Sequence, residues 1–401
     1  MGYTEPMLSF KTAGESHGQA LVSIVEGLPA NLDFDTDFIN AELHRRQCGF
    51  GRGGRMQIES DQVRVLSGVR HGRTLGSPIA MMIENRDWEN WRDVMSVEPV
   101  TPEVAEKRRV TRPRPGHADL TGSQKFNQAD ARNILERSSA RETAARVAAG
   151  AVAKLLLRAF GIEILSHTRA IGEVRLPEEF MVEWEQLEAI RDDAVVRCVL
   201  ADYSDRMVME IKAAQQDRDS IGGTFEVIAR GVPVGLGAHT DWAQKLDGRL
   251  AQAVMSINAV KAVEVGDGVR IAFTRGSAVH DEISFDSATR RFDRLTNRAG
   301  GIEGGMSNGE DVRVVGYLKP IPTLGKPLRS VDMVSKEPFL AQHERSDTCT
   351  VPAAGVIGET MVGLVLANAI TEKFGGDSID ESLRNHRGYL QQLRDFPSGG
   401  N

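Results

Sequence analysis

The chain has 401 residues and a formal net charge of −7, long enough for a large core and too acidic overall for a broad basic nucleic-acid face. Aromatics make up only 5% while glycine reaches 40 residues, which favours a close-packed, loop-rich α/β or α+β protein over a stacking surface for single strands. The charge is uneven: residues 40 to 150 carry 19 basic against 14 acidic side chains, a local field suited to a small anionic substrate.

In chain order, the first segment, Met1 to Pro6, lacks a basic-then-apolar leader, and Pro6 spoils a myristoylation pattern. Gly14-Glu15-Ser16-His17-Gly18 has the letters of a hydrolase nucleophile elbow, but a strand (Ala20 to Val25) follows where a helix is required. His17, in a glycine-rich turn, is placed like a catalytic acid; the bland alternative is a structural histidine. A helix is predicted from Asp37 to Arg46. Gly49-Phe50-Gly51-Arg52-Gly53-Gly54 has the letters of a dinucleotide fingerprint in the reverse context, helix before and strand (Val63 to Leu66) after. It reads better as a mobile, glycine-hinged loop whose Arg45, Arg46, Arg52 and Arg55 close over phosphate or carboxylate groups.

Arg112-Pro113-Arg114-Pro115-Gly116-His117-Ala118-Asp119 presents an imidazole rigidly among cations, an arrangement suited to proton transfer or charge stabilisation. Asn133 to Thr143 then opens an Ala-rich helix, where free N–H groups favour anions. That helix is predicted from Ser139 to Phe160, with Ser139 and Glu142 as a capping box and Gly161 as the stop. Its face Ala144, Val147, Ala148, Ala151 permits close helix packing. Residues 173 to 220 read as peripheral. Strands are predicted at Met207–Ile211, Thr224–Ala229, Val269–Phe273 and Val312–Tyr317, and a helix from about Asp241 to Val260. Gly300 to Gly309 lets a ligand approach backbone, and Lys319-Pro320-Ile321-Pro322-Thr323 pairs a cation with a stiff turn. His343-Glu344-Arg345-Ser346-Asp347 forms a last polar cluster without zinc spacing, ahead of a helix from about Ala353 to Phe374 that is apolar nearly all round and expected to be buried. Cys48, Cys198 and Cys349 are scattered and read as reduced thiols. No apolar run is read as long enough to cross a bilayer, so a cytoplasmic protein without membrane or nucleic-acid partners is expected.

A shift of 204 residues places Ser16, Gly18, Ile24, Gly27, Pro29, Leu32, Thr36, Asp37 and Arg45 on identical residues from Ser220 to Arg249. Two related β–α modules, near 10–60 and 215–265, are expected inside one domain spanning 1–401. Antiparallel sheets flanking a helical core follow from the pattern, an α+β class with a pseudo-twofold repeat.

Taken together, Gly14 to Gly18, Arg112 to Asp119, Ser138 to Gly150, Met255 to Lys261, Ala299 to Gly309 and Arg345 to Asp347 resemble the chorismate synthase family. The resemblance implies a β–α–β sandwich assembled as a homotetramer. It implies a lyase that eliminates phosphate from 5-enolpyruvylshikimate 3-phosphate with reduced FMN (FMNH2). It further implies that His17 protonates the departing phosphate, His117 stabilises flavin negative charge and Asp347 assists the flavin N5. Arg46, Arg52, Arg55, Arg114, Arg141 and Arg345 match the lining for substrate phosphate and carboxylates, with Arg46 and Arg52 alternatively meeting an NADPH phosphate. Arg137, Ser138, Ser139, Asn258, Ala259, Gly304, Lys319, Pro320, Ile321, Pro322, Thr323 and Arg345 match flavin-binding positions. Some members carry Lys-Pro-Thr-Ser-Ser where this chain has apolar Ile321 and Pro322. No added reductase segment is seen, so an external flavin reductant is expected. A nicotinamide oxidoreductase and a basic-patch binder are the rival classes, opposed by the reversed glycine context and by the acidic total.

Overall fold

The computed structural model describes residues 7–53, 60–342, 344 and 346–397. In chain order the principal elements are β1 (Ser9–Ala13), β2 (Ala20–Glu26), α1 (Thr36–Gln47), β3 (Val63–Val65), β4 (Ile79–Glu84), α2 (Asp119–Phe126), α3 (Arg132–Ser138) and α4 (Thr143–Ala159). There follow β5 (Glu163–Ile171), β6 (Val174–Arg175), α5 (Ala201–Gln216), β7 (Gly223–Arg230), α6 (Leu246–Met255), β8 (Val260–Val265), β9 (Val312–Leu318), α7 (Val351–Phe374) and α8 (Ile379–Arg394).

Two antiparallel sheets, in the orders β1-β2-β4-β3 and β8-β9-β7-β5-β6, enclose a helical layer. The order of elements is the same twice over. β1, β2, α1, β3, β4 and α4 recur as β5, β7, α6, β8, β9 and α7, with the same strand neighbours in each sheet. The strands that the 204-residue shift aligns, β2 and β7, are the second strand of each copy. Alternation explains the first sheet, where Leu21 and Val25 of β2, and Ile79, Met81 and Ile83 of β4, are all buried, whereas β7 and β9 of the second are buried along most of their length.

α4 and α7 form the centre. α7 is long and apolar enough to cross a membrane, contrary to the expectation that no segment is, yet 94% of its apolar window is buried in the protein. Its partner approaches very closely: a Cβ on Gly150 of α4 would lie 2.2 Å from Thr360 Cβ. Gly358 of α7 likewise admits the Phe225 ring of β7, which a Cβ would meet at 2.6 Å. Within the layer Lys154, Glu42, Arg45 and Glu359 form a buried ion cluster, with Arg45 donating to both Glu359 oxygens at 2.8 Å. Burial would raise the Glu359 carboxyl, but Arg45 and Lys154 hold it well below the usual range.

Four local expectations need correction. Met207–Ile211 lies within α5, because Met207 and Ile211 are four residues apart and both turn inward on one helical stripe. Val269–Phe273 belongs to a short 3-10 turn, Gly268–Phe273, rather than a strand. The helix expected up to Val260 ends at Met255, and Ala259 at φ 68° turns the chain into β8. Ser139 caps a 3-10 turn through the Arg141 N–H at 3.3 Å, while Glu142 pairs with Arg146 at 2.7 Å, so no capping box closes.

Gly150→Ala is expected to destabilise the protein by about 1–3 kcal/mol through overpacking, despite alanine being the better helix former. Urea unfolding followed by circular dichroism measures it, and unchanged or increased stability would contradict the close α4–α7 contact.

Candidate active site

A cleft of about 850 Å³ opens at one end of the helical layer. Thr143 and Arg146 from the first turn of α4 line it, as do Thr350, Ala353 and Ala354 at the start of α7. Both central helices therefore aim their N-termini at the same space, where the positive ends of their dipoles favour anions. Among the described lining residues are nine arginines and lysines against three acids, with two histidines.

His17 lies in the turn between β1 and β2. Its Nδ1 is 3.0 Å from both carboxylate oxygens of Glu136 on α3, and its backbone N–H donates to Glu136 at 2.8 Å. The ring stacks on Trp91, centroids 3.8 Å apart at 25°. On Trp91 also sits the Arg108 guanidinium, 3.8 Å from the ring centre. Burial would raise the Glu136 carboxyl, yet hydrogen bonding and charge from His17, with Arg132, hold it below its ordinary value.

His117 follows a tight turn closed by its N–H bonding to Arg114 O at 3.2 Å. Pro115 sets the first central position and Gly116, at φ 80°, supplies the left-handed second one, a type II pattern. His117 Nδ1 lies 2.5 Å from Asp119, at the start of α2. Arg114 donates to both oxygens of Asp119, at 2.8 and 3.1 Å, and to Thr323 Oγ1 at 2.9 Å. Its guanidinium thus braces the loop. Despite burial, His117 and Arg114 keep the Asp119 carboxyl far below the usual carboxylate range.

Arg46 is in the last turn of α1 rather than on the glycine loop, and Arg45 points into the core cluster instead of the cleft. Asp61 binds Arg141 at 2.5 Å and Arg46 at 3.4 Å, and Arg141 also donates to Asn85 at 2.9 Å. Burial, opposed by Asp61 and reinforced by Arg141 and Arg52, lowers Arg46 to about 10. It stays cationic at neutral pH, but an incoming anion would relieve it. Its Nε is buried without a hydrogen-bond partner among the described residues.

Asp347 receives the Gly53 N–H at 2.5 Å and pairs with Arg52 at 3.1 Å. Gly51 O accepts from Thr348 N at 2.7 Å, and Phe50 N donates to Val195 O at 2.7 Å. The described part of the loop expected to be mobile is therefore tied to the segment before α7. Its place between α1 and β3 provides no strand–glycines–helix geometry for a dinucleotide.

Opposite these groups, Asn258 Nδ2 donates to Ser138 O at 3.1 Å, and Lys319 Nζ to Gly116 O at 2.6 Å. Arg137 reaches Thr12 O at 2.8 Å, and Ser139, Ala259, Ile321 and Pro322 complete this wall. Gly304 sits in the turn of the Ile302–Ser307 hairpin and, like Pro320, does not line the cleft. Arg55 and Arg345 lie outside the described residues. Sequence reasoning did not single out Glu136, Trp91, Asp61, Arg132 or Arg108. The only local signal was the i,i+4 spacing of Arg132 and Glu136, whose side chains are 3.3 Å apart.

Comparison with known proteins agrees along the chain. Residues 8–371 match the family model for chorismate synthase. The chorismate synthase of Solibacter usitatus is 54% identical over 97% of this chain and 100% of its own length. That of Symbiobacterium thermophilum is 55% identical over 96% of this chain and 99% of its own. A crystal structure of a chorismate synthase superposes with a TM-score of 0.78 at 40% identity, covering 97% of this chain and 99% of that one.

Asp119 and Glu136 are held below their unfolded values, so the folded chain binds fewer protons than the unfolded one. Their contribution is complete above about pH 4–5 and is lost as pH falls through the folded values. The melting temperature is expected to fall steadily with acidification in that range. Asp119→Asn should flatten the fall and cost about 3–5 kcal/mol at neutral pH, because Arg114 keeps a buried, uncompensated charge. Calorimetry from pH 2 to 7 tests both; equal acid slopes in the two proteins would contradict the assignment.

Proposed function

This chain belongs to the chorismate synthase family, and from that membership we propose how its cleft carries out the reaction. The enzyme is a carbon–oxygen lyase of the shikimate pathway, forming chorismate on the route to aromatic amino acids. In our reading it removes phosphate from 5-enolpyruvylshikimate 3-phosphate by anti 1,4-elimination, with reduced FMN bound alongside. The observation that carries this reading is the cation-rich cleft holding two histidines, each fixed by its own buried carboxylate.

The cleft suits a flavin. Its volume is at the upper end of the range for ligand pockets, about 300–1,000 Å³. The buried Asn258 Oδ1 has no partner among the described residues and offers an acceptor to a ring N–H. Ile321 and Pro322, where some relatives carry hydroxyls, supply an apolar wall instead, and the Ile321 carbonyl is already bonded to Ser220 Oγ at 2.7 Å. When bound, reduced FMN supplies an electron-rich ring for breaking the substrate's C–H and C–O bonds.

The protein's residues do the rest. Arg46, Arg52 and Arg141 attract the substrate's phosphate and carboxylates; the first two can alternatively meet the phosphate of NADPH. Asp61 and Asp347 keep these cations in place before an anion arrives. Glu136 occupies His17 Nδ1, leaving Nε2 as the nitrogen that protonates the departing phosphate. His117 and Lys319 would stabilise negative charge on a bound flavin, and Asp347 would assist its N5. Ser138, Ser139, Asn258 and Ala259 would hold the flavin, and Arg137 orders the end of β1 beside them. A homotetramer fits exposed apolar side chains such as Phe285 and Phe292 on the Ile283–Arg294 hairpin.

Phosphate release from 5-enolpyruvylshikimate 3-phosphate, measured anaerobically, is expected only when reduced FMN is present; equal rates without it would sink the cofactor assignment. His17→Ala is expected to lower kcat by about 10²- to 10⁴-fold while flavin affinity is preserved. Near-wild-type turnover across the pH range would remove His17 from the donor role. Arg52→Ala should weaken substrate capture by about 1.5–3 kcal/mol, seen as raised KM with a smaller change in flavin affinity.

A further inference from the structure

Glu136 is nearly inaccessible, and one short helix makes it the hub of three contacts. Its carboxylate takes His17 Nδ1 at 3.0 Å and the His17 backbone N–H at 2.8 Å, and its carbonyl takes the Ser16 N–H at 2.9 Å. Arg132, one turn earlier on α3, donates to it at 3.3 Å and extends to Glu344 at 3.0 Å. Trp91 closes the ring's face, and its own indole N–H is fixed by Asp87 at 3.2 Å. The histidine is therefore held at an edge by a carboxylate, at a face by an indole and along its backbone by the same helix. Arg137 and Ser138, on the wall assigned to the flavin, are the next two residues of that helix.

We infer that Glu136 is the positioning residue for His17: by accepting the Nδ1 proton it fixes the ring orientation and reserves Nε2 for proton transfer, while Trp91 holds the ring plane. The inference rests on His17 acting as the donor proposed above. In that step the Nε2–H bond breaks, the proton joins the departing phosphate oxygen, and the imidazolium becomes a neutral ring that keeps Nδ1–H on Glu136. A carboxylate here stabilises the cationic ring before transfer, and a fixed tautomer avoids searching for the reactive edge. The charges around the pair are Arg132 on Glu136, Glu344 on Arg132, Arg108 across Trp91 and Asp87 beneath it.

The test compares Glu136→Gln, which keeps the shape, and Glu136→Ala with His17→Ala and the double variant His17→Ala/Glu136→Gln. Melting temperature and flavin titration monitor folding. We expect Glu136→Gln to lower kcat at least tenfold with KM within about threefold, and Glu136→Ala to be slower still. The double variant should be no more than about twofold slower than His17→Ala alone, since a positioning residue acts only through the group it positions. Nitrogen-15 NMR of the histidine ring should show Nδ1 protonated in the parent enzyme and a redistributed tautomer in Glu136→Gln. An unchanged ring spectrum in Glu136→Gln overturns the inference, as do unchanged kcat or losses that multiply in the double variant. Should His17→Ala itself retain full turnover, the donor role fails, and the ring spectrum alone decides whether Glu136 positions the histidine.

Discussion

The close contact of α4 with α7 is the constraint on which the site depends. The two helices run the same way, since Gly150 meets Thr360 and, one turn on, Lys154 packs beside Gly363. The contact falls about two turns into α4 and less than three into α7, so both N-termini arrive at one cleft. Any side chain larger than hydrogen at Gly150 would separate them. The buried cluster of Lys154, Glu359, Glu42 and Arg45 then ties α1 into the pair. Such clusters add little net stability compared with apolar packing, but they leave few alternative registers, because each charge has a buried partner only in this one.

Concentrating cations in a part-buried cleft is unfavourable unless counter-charges are built in. Four carboxylates divide the work. Asp119 brings Arg114 and His117 together; Glu136 holds His17 and Arg132; Asp61 is shared between Arg46 and Arg141; Asp347 takes Arg52. The division sorts the arginines by role. Arg114, bound bidentately and capped by Thr323, is a structural brace. Arg46, sharing one carboxylate at 3.4 Å and pressed by its cationic neighbours, is poised for an anion.

The duplicated topology explains how the walls differ. The first copy contributes His17 from the β1–β2 turn and Arg46 from α1, with Asn85 just past β4 holding Arg141 from behind. The second contributes Asn258 between α6 and β8 and Lys319 just beyond β9. Similar frameworks meet across the helical layer, yet their loops carry a histidine and anion-binding arginine on one side and an amide and a lysine on the other. A symmetric scaffold thereby encloses an asymmetric site.

The amino-acid sequence by itself determined those features that depend on neighbours along the chain. Apolar residues without a polar stripe specify the buried α7, apolar runs bounded by turns specify β2, β7 and β9, and Pro115-Gly116 specifies the turn that presents His117. The family resemblance, carried by motifs, was equally legible. Where one local pattern served two structures, as at Met207–Ile211, or where alanine took a left-handed conformation, as at Ala259, local reading failed. The tertiary structure alone decided which charges meet. Glu136 lies 119 positions from His17, and Asp61 lies 80 from Arg141. Nothing in a carboxylate's neighbours along the chain states which imidazole or guanidinium the folded helices will bring to it. Hydrogen bonds act over about 3 Å, so these pairings exist only once the helical layer and its two sheets have closed around the cleft.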